Sequence, residues 1–519
     1  MFEPKGFGAR IFSERYAKDA SETWSEACAR LALTVSSAET NGKVKVWRDV
    51  FYNDLVENRF MPGGRIWYGA GRPKGQLLNC FVIPTEDSRE GWGKTVSDAI
   101  VISGTGGGIG MNMSPIRPRG STIHGHSSPA TGAVSLMEII NAAGEVIRAG
   151  GGRRVALMLC LGLDHPDTLE FMDKKLDLKQ LNNANVSNVF MNESPEDFLR
   201  KVERDELHEF VWQEKVIGTI PARELWAKIL DNSVRCGEPG ILNGHLANEM
   251  NNIAYHQPLI STNPCGEIWL EKYGCCDLGA LVLPRFIVNG VLDKKLLART
   301  IRNSVRFLDN VLDVNTYPLR DIEENCKNVR RIGMGVMGLH DILILQGMRY
   351  TSDEAFAYVD KLFSFIKKKA YEASIDLAIE KGSFPALNRG KFVESGFCKA
   401  SLSDGIKERI LDNGVRNCAL ITIAPTGTTA LPCDVNSSLE PFPALGWKRN
   451  FRSGEALDSE LIEQPLFAAL KDDPEKVKLF ETALEIPVEK HLQMQAICQK
   501  HVDNAISKTI NLPKHYTGA

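Results

Sequence analysis

The densest run of chemically capable side chains is Asn263-Pro264-Cys265-Gly266-Glu267. In extended backbone, side chains at i, i+2 and i+4 point the same way. Asn263, Cys265 and Glu267 would then present an amide, a thiol and a carboxylate to one side. Pro264 stiffens the segment, and Gly266 lets another group approach closely. The flanking Ser261 and Thr262 mark a loop tip, and an ordinary turn with a buried thiol explains the same residues equally well. A second cluster is Cys275-Cys276. Neighbouring cysteines in a strand face opposite sides, so at most one of them shares a site with Cys265. The plainer alternative is that both are packing residues.

Other segments suit anions or close backbone approach. Ala424-Pro425-Thr426-Gly427-Thr428-Thr429-Ala430 follows an apolar run and is rich in hydroxyls and N–H donors. It is a candidate phosphate cradle, more so if a helix begins there. Gly150-Gly151-Gly152-Arg153-Arg154 places two guanidiniums beside a flexible loop, suited to gripping an anion, although a solvated basic turn is the commoner case. Gly104-Thr105-Gly106-Gly107-Gly108-Ile109-Gly110 admits close backbone approach but misses G-x-G-x-x-G, which argues against a Rossmann dinucleotide site. Gly93-Lys94-Thr95 lacks the leading glycine of a P-loop, where Ser88 stands.

These groups need a scaffold to position them. Residues 1–60 read as mostly helical, with Trp24, Ala27, Leu31 and Leu33 as apolar positions, and Met61-Pro62-Gly63-Gly64 breaks the pattern. Beyond it, short apolar runs alternate with amphipathic helices. Strands are predicted at 80–83, stopped by Pro84, at 155–163, and at 419–424, stopped by Pro425. A helix over 134–149 places Leu136, Met137, Ile140, Ala143, Val146 and Ile147 on one face. Another over 296–314 does so with Ile301, Val305, Leu308 and Leu312. A long helix over 353–381 ends at Gly382 and Pro385. The alternation predicts an α/β fold with parallel strands. No repeat or linker is visible, which leaves a helical segment at 1–60 and one domain at 61–519.

Composition excludes several classes. The 519 residues are 43% hydrophobic and 24% charged, ordinary for a globular chain. Lys+Arg is 62 against Asp+Glu 65, a net charge of −3, so no general basic field exists to hold nucleic acid. No apolar run approaches the ~18 residues that span a bilayer, and the N-terminus has no apolar signal core. The expected compartment is the cytoplasm, with no membrane and no direct nucleic-acid partner. Twelve cysteines are too sparse for a disulfide scaffold and show no zinc spacing, so no metal site is expected. In a reducing compartment most of them should be packing thiols.

Several motifs, taken in order, resemble one family: the catalytic chain of ribonucleotide reductase, specifically its adenosylcobalamin-dependent class II. They are MPGGRI, NCFVIPTEDS, SGTGGGIGMNMSPIRPRGS, GGGRR, DHPD, GEPGI, TNPCGEI, YGCCDLG, RRIGMGVMGL, APTGTTA, SSLEP and DNAISKTINLP. The resemblance covers nearly the whole chain beyond about residue 50. It implies a ten-stranded α/β barrel of two five-stranded halves, with a central finger loop carrying the radical cysteine. By this resemblance Cys265 becomes a thiyl radical and removes the 3′-hydrogen of a ribonucleotide. Glu267 takes the 3′-hydroxyl proton, and Asn263 hydrogen-bonds the sugar. Cys80 and Cys276 are the reducing dithiol; the family's spacing of eleven residues after the radical cysteine selects Cys276 over Cys275. Asn79, Gly107 and Gly108 would line the sugar pocket. Pro425, Thr426, Gly427, Thr428 and Thr429 would hold the di- or triphosphate. Arg153, Arg154 and Lys179 fall in stretches that resemble loops sensing a deoxynucleotide effector.

The implied cofactor is adenosylcobalamin, although the chain has no D-x-H-x-x-G motif, which this family does without. The implied partners are a thioredoxin-like or small dithiol reductant and a second copy of the chain in a homodimer. Two departures stand out. Asn79 occupies a position where many reductases carry serine. Family members also continue past SKTINLP to a tail with paired cysteines, so a separate C-terminal segment or an external dithiol is expected to complete the cycle. The rival expectations are a class I-type chain fed by a separate radical-generating subunit and an inactive homologue that only senses nucleotides.

Overall fold

The computed structural model describes residues 2–40, 42–123, 125, 127–147, 155–176, 186–453 and 456–512. Three helices open the chain: Gly6–Arg15, Trp24–Ser36 and Val44–Val56. The second begins in a reciprocal cap. The Thr23 hydroxyl accepts from Glu26 N–H, and the Glu26 carboxylate accepts from Thr23 N–H. Trp24, Ala27, Cys28 and Leu31 are buried along one stripe. Leu33, expected among the apolar positions, is instead 57% exposed. Two residues beyond Leu31 it has turned roughly 200° about the helix axis. A buried charge cluster ties these helices to the rest. Arg306 donates to both oxygens of Glu39 and to Glu380 at 2.7 and 2.9 Å, and Lys381 donates to Asn310 at 2.6 Å.

Among the described residues the main sheet contains eight strands. They are β1 (Phe60–Pro62), β2 (Cys80–Ile83), β3 (Gly108–Asn112), β4 (Leu157–Gly162), β5 (Val186–Met191), β6 (Gly240–Asn243), β7 (Cys275–Val282) and β8 (Ile332–Met337). From β2 to β6 every neighbouring pair is parallel, which builds one five-stranded half. Strand β7 joins β2 antiparallel at a two-residue seam and runs parallel to β8 on its other side. Beyond β8 the sheet continues through parallel bridges, Met334 to Ile421 and Ile423 to Ile506. The result is an α/β barrel whose two parallel halves meet antiparallel. The run at 419–424, expected as a regular strand, is extended but only bridged. The Asp503 carboxylate takes the N–H groups of Leu420 and Ile421 at 2.9 and 2.8 Å, so they cannot serve a ladder.

Helices cover the sheet. Ala133–Val146 buries Leu136, Met137 and Ile140, but Val146, expected on the same face, is 81% exposed at the helix end. Lys294–Val314 starts on the Asp293 side chain and fully buries Ile301, Val305, Leu308 and Leu312. Asp353–Lys381 is capped by Ser352 and stopped at Gly382, as its periodicity predicts. Among the described residues no helix is long and apolar enough to cross a membrane.

Inside the barrel stands a small hairpin. Ser261–Thr262 pairs antiparallel with Trp269–Leu270, and residues 263–268 form its tip. Strand β3 makes room for it. A Cβ on Gly110 would lie 1.7 Å from the Thr262 carbonyl oxygen, so only glycine permits this approach. The Asn112 amide donates to the Ile260 carbonyl at 2.9 Å and fixes the hairpin base.

Candidate active site

The tip is a closed turn and not the extended segment expected from residue alternation. Gly266 adopts φ +78°, its N–H donates to the Asn263 carbonyl at 3.0 Å, and Asn263 N–H donates to Ile268 O at 3.2 Å. Asn263 and Glu267 are buried, whereas Cys265 is exposed to solvent at the apex. The Asn263 amide donates to Cys80 Sγ at 3.2 Å, and the Cys80 thiol donates to Glu267 Oε1 at 3.9 Å. The Glu267 main-chain carbonyl accepts from the Thr422 hydroxyl at 2.5 Å and from Ala505 N–H at 3.0 Å. Its carboxylate is thereby aimed inward. The second oxygen, Oε2, is buried and has no partner among the described residues. Such an acceptor is costly to leave unfilled, and a substrate hydroxyl would satisfy it.

Cys80 and Cys276 are register partners across the β2–β7 seam. Directly opposed residues in an antiparallel pair hold their Cβ atoms about 4.5–5.5 Å apart, and a disulfide wants about 3.5–4.5 Å, so a small local movement closes the bond. Space for the Cys276 sulfur comes from Gly333, where a Cβ would sit 3.0 Å from Sγ. Cys275 is paired in register with Phe81, faces the other way and belongs to the outer hydrophobic core. This geometry makes one prediction: Cys276→Ser should stop multiple turnover in a dithiol-driven assay, while Cys275→Ser should retain most of the wild-type rate. The reverse pattern would assign the pair wrongly.

The local electrostatics keep these sulfurs protonated. Although the Cys265 side chain reaches solvent, the protein atoms packed around the tip desolvate it, and this, reinforced by the Glu267 carboxylate, pushes the thiol up to about 12. Burial lifts Cys80 well above its ordinary value, with Glu267 and Cys265 adding to it and the Asn263 amide opposing. Cys276 is raised by burial, then by Asp277 and Cys80, with Arg331 opposing. Glu267 is itself raised by burial, against the hydrogen bonds from Asn263 and Cys80. A thiolate nucleophile would need the opposite shift. Thiols that hold their hydrogens are suited to hydrogen-atom transfer and proton donation.

Beside this cluster lies an open cleft of about 560 Å³, lined among others by Met61, Gly63, Asn79, Leu278, Ala280 and Thr428. Asn79 Oδ1 is buried without a partner among the described residues, and a Cβ on Gly63 would come within 2.8 Å of it. Pro425, Thr426, Thr428 and Thr429 line the same cleft, while Gly427 opens on an adjoining cavity. The Thr426 hydroxyl is committed to the turn itself, accepting from Ser438 N–H at 2.7 Å. No α-helix starts here; the turn passes into the short 3-10 helix Leu431–Cys433. An anion would therefore rely on turn N–H groups and the remaining hydroxyls rather than a helix terminus. Gly107 packs on the Phe81 ring, and Gly108 lies against Pro264 of the finger, so these two glycines make room for protein beside the site. Arg153, Arg154 and Lys179 lie outside the described residues.

Met61 and Gly63 were read as a breaker and as part of the MPGGRI motif but given no site role, and Leu278, Ala280 and Thr422 were given none either. The one available signal was the adjacent glycine pair in MPGGRI, which allows close approach of backbone to a neighbour or ligand.

A family profile described as ribonucleotide reductase, barrel domain, matches residues 78–519, and one described as ribonucleotide reductase, all-alpha domain, matches residues 2–75. The vitamin B12-dependent ribonucleoside-diphosphate reductase of Mycobacterium tuberculosis is 32% identical over 520 residues, covering 95% of this chain and 72% of that one. The enzyme of the same name from Thermoplasma acidophilum is 34% identical over 478 residues, covering 87% of this chain and 60% of that one. The ribonucleoside-diphosphate reductase large chain of Encephalitozoon cuniculi is 27% identical, covering 89% of this chain and 68% of that one.

Proposed function

The chain belongs to the ribonucleotide reductase large-chain family, and from that premise we propose that it reduces ribonucleoside diphosphates to 2′-deoxyribonucleotides with adenosylcobalamin, using Cys265 as the radical thiol and Cys80 with Cys276 as the reducing pair. One observation carries the reading: a solvent-accessible thiol stands alone at the finger tip, beside a cross-strand pair of buried thiols and a buried carboxylate with a vacant acceptor.

The diphosphate rests on residues 425–429, and the ribose lies toward Asn79 and Asn263. The Cys265 thiyl removes the 3′-hydrogen as an atom, while Glu267 Oε2 accepts the 3′-hydroxyl proton, as a positioned general base does. The 2′-hydroxyl leaves as water with a proton from the thiol pair. Two electrons come from Cys80 and Cys276 as they join in a disulfide, and Cys265 returns its hydrogen to C3′. The sum is ribonucleotide plus two thiols giving deoxyribonucleotide, water and one disulfide.

Adenosylcobalamin, when bound, supplies the one-electron oxidation that makes the thiyl. The residues present fit such a group. An open pocket reaches Gly266 and is lined on one side by the apolar Ile241, Leu242, Leu246, Met250, Trp269 and Phe397. A Cβ on Gly266 would project into open space, so the finger backbone itself is available to a bulky, largely apolar ligand. A deoxynucleotide effector, an external dithiol and a second copy of the chain complete the same reading.

The test is an assay of the purified chain with a ribonucleoside diphosphate, adenosylcobalamin and a dithiol, with no second protein. Deoxyribonucleotide should form. Product only on addition of a metal-bearing subunit would move the chain to class I, and effector binding without product would make it a sensor.

A further inference from the structure

We propose that Arg331 is a positioning residue for the reducing pair, placed so that Cys276, and not Cys80, departs as the thiolate when an external dithiol re-reduces the disulfide. The proposal rests on the dithiol role given above for Cys80 and Cys276.

The register provides the geometry. Strands β7 and β8 pair in parallel from Asp277 with Ile332 onward. One step back, Cys276 and Arg331 stand next to each other across the same two chains. Gly333 lies two residues beyond Arg331 and therefore on the same face, and a Cβ there would be 3.0 Å from Cys276 Sγ. The face that carries Arg331 is thus the face beneath the Cys276 sulfur. The guanidinium is buried and held at two corners. One Nη donates to Glu271 Oε2 at 2.9 Å, the other to Asn504 Oδ1 at 3.1 Å. Glu271 is fixed in turn by the Asn325 amide at 2.9 Å. The third donor, Nε, is buried with no partner among the described residues. A buried cation with one N–H unfilled is a donor site waiting for an anion.

The two sulfurs see opposite surroundings. Cys80 faces the Glu267 carboxylate and Cys265, which both oppose a thiolate, with only the neutral Asn263 amide in favour. Around Cys276 stand Asp277 on its own strand, Cys80 on β2, Cys326 on the Arg320–Val329 helix and Arg331 before β8, and Arg331 alone favours the anion. Asp277 is fully buried with neither carboxyl oxygen partnered among the described residues, and burial raises its carboxyl well above the usual range, which favours its uncharged form. Access agrees with this division. Cys80 retains 4% exposure and Cys276 none. The external dithiol attacks Cys80 Sγ through one thiolate. A mixed disulfide forms, the Cys80–Cys276 bond breaks, and its electron pair leaves on Cys276. The second thiol of the reductant then closes on its own sulfur and releases Cys80. The reductant ends as a disulfide, and both cysteines regain protons from the incoming thiols.

Two measurements test this. In the first, the oxidised wild-type chain is treated with excess 2-mercaptoethanol, quenched, and mapped for the mixed disulfide. The adduct should lie on Cys80 with Cys276 free; an adduct on Cys276 overturns the proposal. In the second, Arg331→Met combined with Glu271→Met removes the whole ion pair, which avoids a stranded buried charge. The pre-reduced variant should give the wild-type burst of product, yet dithiothreitol should re-reduce its disulfide about tenfold more slowly, the equivalent of one pKa unit at the leaving sulfur. Arg331→Lys should recover most of that rate. Re-reduction at the wild-type rate, or burst and re-reduction falling together, contradicts it. A wild-type chain that gives no burst would instead overturn the dithiol reading on which the proposal stands.

Discussion

Cys265→Ser should abolish deoxyribonucleotide formation, a loss of roughly 10³-fold or more, as when one member of a group acting as a unit is removed. Serine is nearly isosteric, and the finger tip is held by main-chain bonds of Asn263, Gly266 and Ile268 and not by the thiol. The fold therefore survives. What is lost is a weak S–H bond, replaced by an O–H bond too strong to give up its hydrogen atom in this role. Turnover and thermal unfolding should be measured on the same preparation. Wild-type melting with background turnover is the expected pair, and retained turnover would remove the radical role from Cys265.

Gly110→Ala is expected to have the next largest effect, from a residue that touches no reacting atom. Its Cβ would lie 1.7 Å from the Thr262 carbonyl oxygen, which is backbone and cannot rotate aside. Either the hairpin or β3 must move. Overpacking of this kind costs about 1–3 kcal/mol of stability, and a shift of about 1 Å at the reacting group costs roughly 10²-fold in rate. Gly93→Ala is the control. A Cβ there meets nothing within 4 Å, inside the helix Arg89–Gly104. It should leave activity unchanged and raise stability by about 0.5–1 kcal/mol. Equal behaviour of the two variants would mean the finger is not seated against β3 as described.

What could be read from the sequence follows the range of the interactions. Asn263, Cys265 and Glu267 are close in the chain, so their chemistry was visible together, although the turn at Gly266 arranges them differently from an extended strand. The long helices were legible because periodicity is local; Leu33 and Val146 were misplaced because apolar character alone does not fix the helical angle or the end of the buried stripe. The partnership of Cys80 with Cys276 is different. The bare Cys275-Cys276 pair left the choice open, the family spacing favoured Cys276, and the seam register places that residue opposite Cys80. Gly110 was legible only as one glycine in a run that admits close backbone approach, with no partner indicated, and Thr422 and Asp503 were not singled out. Each acts on a segment distant in the chain: Gly110 on the hairpin, Thr422 on the Glu267 carbonyl, Asp503 on the N–H groups of 420 and 421. No local pattern encodes such contacts.

A division of labour among three thiols isolates one for the radical and opposes two for the electrons. Its most direct test is a single turnover by the fully reduced chain with substrate and adenosylcobalamin, in the absence of any external reductant, followed by disulfide mapping. About one deoxyribonucleotide per chain, a new Cys80–Cys276 disulfide and a free Cys265 are expected. Product without that disulfide, or a disulfide that includes Cys265, would contradict it.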